Sequence, residues 1–291
     1  MNNYVIDFRE ALMSAGKSEN TVNTYAANAQ LFIEWLEQVM GETFNGKILE
    51  MDASEYCRYL SDVKKQSLNT IKAKLTAVQK FSEYLSGNGI MPSIKVKQKK
   101  GTTEPEVKIL EKNEVYKLLR YVRNTDNKLN IAIVVLLLNT GIRESELCNL
   151  ELSDIEITDR KGQITIRSGK GNKYREIPLN VDARNAITDY IENARPTDAT
   201  TDKIFIGQRG ALTRNGIYKI VSKMGLKSIG KNVYPHMLRH QCFTAMAKNP
   251  DVDLKTISSL AGHSSTELTM KFYINSSKQE KIDAVENLQL F

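Results

Sequence analysis

The segment GQITIRSGKGNKYREIPL, residues 162 to 179, decides the fold class. On both sides of the glycine-rich SGKGNK the apolar residues alternate at period two, as in a half-buried β-hairpin with a flexible tip. The chain around it keeps a helical period. Upstream, EKNEVYKLLRYVR and LNIAIVVLLLNTG read as helices, and GIRESELCNLELSDI as a glycine turn entering another. From Asn180 onward the pattern is again mostly helical. The expected class is mainly α with a small β-hairpin or sheet, α+β.

Residues 1–91 carry about four helical segments. Ser18 or Asn20 is placed to cap the second, with Leu31, Trp35 and Leu36 among its apolar positions. Ser67 or Asn69 is placed to cap the last, and Gly87 to end it. Residues 92–107, with two prolines and a basic run, read as an exposed linker, and 108–291 as a second domain. The tail from about 277 to 290 has the apolar spacing of a short amphipathic helix, with Ile282, Val285 and Leu288.

The 291 residues are enough for two domains, and no apolar run reaches the length of a membrane span. The N-terminus has no secretory pattern, and the three scattered cysteines form no metal-type pair, so a cytoplasmic setting is expected. The net charge is +7 and unevenly spread. No Asp or Glu occurs from Lys64 to Lys80, which holds Lys64, Lys65, Lys72 and Lys74, nor from Lys203 to Lys248, which holds Arg209 and Arg214. A solvated face normally mixes signs; acid-free stretches point to a polyanion such as DNA. The linker lysines Lys95, Lys97, Lys99 and Lys100 are expected to track a phosphate backbone.

All three histidines lie close together along the chain, His236 and His240 in PHMLRHQCFTAM and His263 in LAGHSS. No carboxylate lies near the first two, so the metalloprotease pattern is absent and no metal or other cofactor is expected. Arg143, in TGIRESEL, and Arg239 suit a phosphate, because a guanidinium matches its oxygens bidentately and stays charged. The histidines can donate hydrogen bonds or move protons. Lys170 at the hairpin tip suits a proton donor to a leaving alkoxide; Lys173 is its rival, and otherwise a phosphate contact.

These residues resemble the tyrosine recombinase (phage integrase) family, in particular its XerC/XerD-like and short mobile-element integrase members. TGIRESEL looks like the first arginine box, SGKGNKYREIPL like the catalytic-lysine hairpin, HMLRH like the His-x-x-Arg box, LAGHSS like the second-histidine box and TMKFYIN like the nucleophile box, in that order along the chain. The resemblance implies a helical core-binding domain that clamps DNA, followed by a mixed catalytic domain. It implies that Arg143, Lys170, His236, Arg239 and His263 are catalytic, with Tyr273 the nucleophile. Glu146 and His240 would be supporting residues, or purely structural ones.

The activity so implied is site-specific recombination of double-stranded DNA at specific core sites. It would run through a 3′-phosphotyrosyl intermediate and a Holliday junction, in a homotetramer joined by exchange of C-terminal tails. A second recombinase or an accessory DNA-bending protein is an open addition. Two alternatives stand beside it: a type IB topoisomerase-like enzyme, and a catalytically silent architectural DNA-binding protein.

Overall fold

The computed structural model describes residues 1–88, 109–167 and 174–262. The chain divides into two compact units, Met1–Pro105 and Glu106–Phe291, each considered by itself. The linker at 92–107, the hairpin tip with Lys170 and Lys173, and everything from His263 onward, Tyr273 and the tail helix included, lie outside the described residues.

The first unit holds α1 (Asn3–Ser14), α2 (Glu19–Gln38), α3 (Glu50–Arg58), a π-helical turn (Tyr59–Val63) and α4 (Leu68–Gly87). Of the cap candidates the serine is used each time. Ser18 Oγ accepts the Thr21 N–H at 3.4 Å, and Ser67 Oγ the Thr70 N–H at 3.3 Å. Val22, Ala26, Ala29, Ile33 and Leu36 of α2 face Ile71, Leu75, Val78, Phe81 and Leu85 of α4 across one apolar core. Rings fill the rest: Phe8 packs on Phe81 and Trp35 on Tyr56, with centroids 5.2 and 5.0 Å apart.

One sequence expectation fails here. Leu31 is 43 % exposed, because it falls just outside the edge of the buried stripe that Trp35 bounds. Gly87 ends α4 as expected, as its last helical residue, and the Asn88 N–H closes the helix with an ordinary bond to Tyr84 O, at φ −89°.

In the second unit, α5 (Lys112–Asn124) leads to α6 (Lys128–Thr140), which is apolar all round. Ala132 to Leu137 are all buried, since α8 (Val181–Asn193) and α10 (Pro235–Ala247) both pack on this helix. α6 stops at Gly141, at φ +59°, where a Cβ would come within 2.6 Å of the Phe243 ring. The chain turns there into α7 (Glu144–Asn149).

The hairpin arms pair as their alternation implies, with Ile164 opposite Ile177 and Ile166 opposite Arg175. They are the second and third strands of a three-stranded antiparallel sheet: β1 (Ile155–Ile157), β2 (Gly162–Ile166) and β3 (Arg175–Pro178), in that spatial order. The sequence pattern does not announce β1, which is three residues after a 3₁₀ turn and too short to show a period. A two-residue ladder joins β4 (Ile206–Gly207) to β5 (Gly210–Ala211). α9 (Arg214–Ile229) and α11 (Leu254–Ala261) complete the unit. The described chain is thus mainly helical with small sheets, the α+β class expected.

Candidate active site

α11 ends at Gly262, in the left-handed region at φ +59°. The last carbonyls of a helix have no partner within it and carry the negative end of its dipole. Here three consecutive carbonyls each accept from a different arginine. Leu260 O takes Arg175 Nε at 3.0 Å, Ala261 O takes Arg239 Nη2 at 2.7 Å, and Gly262 O takes Arg143 Nη2 at 2.8 Å. A side chain at 262 would crowd this gathering, since its Cβ would lie 3.1 Å from Arg175 Nη1 and 3.3 Å from Arg143 Nη1.

Each arginine comes from a different element. Arg143 caps α7, where its own N–H donates to Glu146 Oε2 at 2.9 Å and its Nη1 to Glu146 Oε1 at 2.9 Å. Arg239 lies within α10 and is buried; it also donates to Gly141 O and lies 4.8 Å from the Phe243 ring centroid, a cation–π distance. Arg175 opens β3 and grips Glu146 as a fork, Nη1 to Oε1 at 2.9 Å and Nη2 to Oε2 at 2.7 Å.

Arg175 is absent from the sequence-based candidates, where YREIPL serves only as an arm of the lysine hairpin. A signal for it exists: period two puts Arg175 on the face of Ile177 and Leu179, a charged residue at a core position.

The site therefore holds three guanidinium groups against one carboxylate. Burial alone would raise the Glu146 carboxyl; the Arg175 fork and charge, with the Arg143 amide and guanidinium, overcome it and bring the group down to about 2. Arg239 is pushed down to about 9, by burial first and then by the Arg143 charge, and stays protonated at neutral pH. Among the described residues the site carries more positive than negative charge, which suits an anion, and the Arg143 side chain is 24 % exposed.

His236 and His240 stand one turn apart on α10, with Nε2 atoms 2.8 Å apart and rings edge to face. At that distance one nitrogen donates and the other accepts. Burial, and then the charges of Arg239 and Arg143, lower the His236 imidazole, so it is neutral at pH 7. Among the described residues, no three or more His, Cys, Asp or Glu side chains gather as a metal would require.

The structure thus brings Arg143, Glu146, His236, Arg239 and His240 into one neighbourhood and adds Arg175. Of the expected DNA contacts, Arg209 and Arg214 are exposed, Arg209 between β4 and β5 and Arg214 at the start of α9. In the first unit Lys64 and Lys65 are exposed; Lys74 is half-buried and shares a cleft with Lys64, whose ammonium lies 5.5 Å from the Tyr59 ring centroid. Lys72 is half-buried on α4. Lys95, Lys97, Lys99 and Lys100 fall outside the described residues, as do Lys170, Lys173, His263 and Tyr273.

Comparison with known proteins bears on the family and the fold. Residues 108–280 match the phage integrase family, and residues 5–90 the phage integrase N-terminal SAM-like domain. The TnP I resolvase of Bacillus thuringiensis is 30 % identical over 275 residues, 91 % of this chain and 93 % of that protein. Tyrosine recombinase XerD of Oceanobacillus iheyensis is 30 % identical over 285 residues, 94 % of each chain. The fold resembles that of a lambda integrase tetramer bound to a Holliday junction, with a TM-score of 0.70 at 17 % identity, over 92 % of this chain and 76 % of that one. The chain belongs to the phage integrase family and is a site-specific DNA recombinase of the tyrosine type.

Proposed function

We propose that the protein cuts and rejoins DNA strands at specific core sites with Tyr273 as nucleophile. Arg143 and Arg239 would hold the non-bridging oxygens of the scissile phosphate and stabilise the charge that builds as phosphorus becomes pentacoordinate. They would also ease ionisation of the Tyr273 phenol, whose ordinary pKa near 10 makes it a weak nucleophile at pH 7. Tyr273 Oη bonds to phosphorus, the bond from phosphorus to the 5′-oxygen breaks, and Lys170 (or Lys173) supplies a proton to that oxygen. The product is a 3′-phosphotyrosyl bond with a free 5′-hydroxyl. Attack by the 5′-hydroxyl of a partner strand reverses the chemistry and joins the two DNAs through a Holliday junction. The energy of the broken bond stays in the intermediate, so no ATP is needed, and Arg143, Arg239 and Lys170 would supply the positive charge that a metal would otherwise bring. His236 and His263 donate hydrogen bonds to the phosphate or move protons, while Glu146 and His240 support the arginine and the first histidine.

One observation carries this reading: three guanidinium groups converge on the end of α11 with a single carboxylate between them, a site short of an anion. Residues 1–91 would clamp the DNA, with Lys64, Lys65, Lys72 and Lys74 against phosphates, which fix register more than sequence. Lys95, Lys97, Lys99 and Lys100 of the linker, with Arg209 and Arg214 of the second unit, would add further backbone contacts. The working assembly is a homotetramer on DNA, joined by tail exchange in a closed ring. It acts in the cytoplasm; no helix among the described residues is long and apolar enough to cross a membrane. The names of the relatives, a resolvase and a recombinase, favour strand exchange over the topoisomerase-like and architectural alternatives.

The test is capture of covalent protein–DNA adducts. Wild type and Tyr273→Phe are incubated with DNA of the source genome, denatured, and the protein-bound ends sequenced. Adducts from wild type alone, ending at one recurrent sequence, are expected. Scattered ends would turn the reading toward relaxation of supercoils, and tight binding without adducts toward an architectural role.

A further inference from the structure

Arg175 takes part in none of the cleavage and joining steps. Its side chain is 8 % exposed and that of Glu146 4 %, and every nitrogen of the Arg175 guanidinium already donates within the protein. Nη1 and Nη2 donate to the two oxygens of Glu146 and Nε to Leu260 O, so each of its three nitrogens is engaged through one of the five N–H groups. Glu146 is full. Oε1 accepts from Arg143 Nη1 and Arg175 Nη1, Oε2 from the Arg143 N–H and Arg175 Nη2, four donors for the four lone-pair sites of a carboxylate. Among the described residues, Arg143 in turn is held by Glu146 and Gly262 O. Arg175 grips both sources of that support, the carboxylate directly and the end of α11 through Leu260 O.

We propose that Arg175 is a positioning residue for the DNA-cleavage step, aiming Arg143 by locking Glu146 and the carbonyl end of α11 into one frame before DNA binds. The inference rests on the reading of Arg143 as a phosphate ligand. A buried ion pair serving stability alone needs only the fork to Glu146; the third contact ties that pair to the helix end that also holds Arg143 and Arg239. Lysine cannot replace it, since one ammonium cannot span both carboxylate oxygens and Leu260 O.

The test compares wild type with Arg175→Lys on a duplex carrying the cleavage sequence recovered as wild-type adducts. Single-turnover adduct formation is measured at saturating protein, once with an ordinary scissile phosphate and once with a methylphosphonate there. The neutral methylphosphonate lacks the charged oxygen that a correctly aimed Arg143 would hold. The substitution is expected to slow cleavage of the phosphate roughly 100-fold, the scale of an ångström-sized misplacement, with half-site affinity unchanged. On the methylphosphonate that penalty is expected to shrink to near unity.

Equal penalties on both linkages would overturn the proposal, because a general structural role does not distinguish them. So would wild-type cleavage rates for Arg175→Lys. Should Arg175→Lys fail to fold by circular dichroism, Arg175→Gln, which keeps Glu146 in place, is measured instead. The same selective loss on the phosphate supports the proposal, and equal penalties or wild-type cleavage overturn it. Absence of adducts from wild type itself is a different failure, which removes the reading of the site and this inference with it.

Discussion

The two units solve the problem of a buried interior in opposite ways. The first fills it with rings: Phe8 packs tilted on Phe81, and Phe32 and Trp35 both pack on Tyr56, within one apolar core. The second has an apolar core of its own around α6, yet beside it buries Glu146, Arg175 and Arg239. Apolar burial stabilises wherever it occurs. A buried charge costs several kcal/mol in lost hydration and is retained only where its partners are well made. The aromatic unit is organised for stability, whereas the arginine site trades stability for a fixed array of charge.

That contrast can be tested because Trp35 is the only tryptophan in the chain, so its fluorescence reports the first unit alone. The largest effects are two of similar size and different kind. Phe81→Ala, at a position with no exposure, should destabilise the first unit by about 3–5 kcal/mol in urea unfolding followed by Trp35 emission. Glu146→Ala should cost the second unit about 3–5 kcal/mol by leaving Arg175 buried and unpaired. It would appear in the circular dichroism transition while Trp35 emission stays as in wild type. A shift of both signals by either substitution would break the comparison.

The pH dependences should diverge next. Tyr56, in the first unit, is raised to about 12, chiefly by burial and then by Tyr59 and Glu34. A folded pKa above the unfolded one gives stability that is full below pH 10 and lost as pH rises through about 12. Glu146 is displaced the other way, so its contribution is full above pH 4.5 and lost as pH falls through about 2. Acid should therefore weaken the second unit through Glu146 and leave Trp35 emission as it is, whereas alkali weakens both units, because burial also raises Cys148, Tyr190 and Cys242 of the second. The smallest effect sharpens the picture: Ser67→Ala removes the cap of α4 and should lower the first unit's stability by about 1 kcal/mol, with the second unchanged.

Much of this is legible in the sequence wherever a side chain carries the information. Ser18 and Ser67 announce helix starts, the alternation through 162–166 and 175–178 announces strands, and the run Ile131–Leu138 announces a buried helix. Arg143, Glu146, His236 and Arg239 stand out as chemistry without an apolar role. Gly87 marks the end of α4 without the left-handed turn that a glycine often supplies there, since φ is not positive at 87 and is −89° at Asn88. The gathering point of the site is invisible for a deeper reason. The acceptors at 260–262 are main-chain carbonyls, and the letters L, A and G say nothing about which donors reach them.

That main-chain character makes the end of α11 an index, with one arginine assigned to each successive residue. Changing the letter at the half-buried position 260 leaves every assignment in place, since another residue there offers the same oxygen, whereas Ala261 is fully buried and has no room for a larger side chain. Deleting or inserting a single residue before Gly262 would instead rotate the helix end by about 100°, one residue's share of a 3.6-residue turn, and deal all three guanidinium groups the wrong carbonyl at once. Position 260 tolerates a spelling error, but the segment does not tolerate a shift of reading frame within the fold.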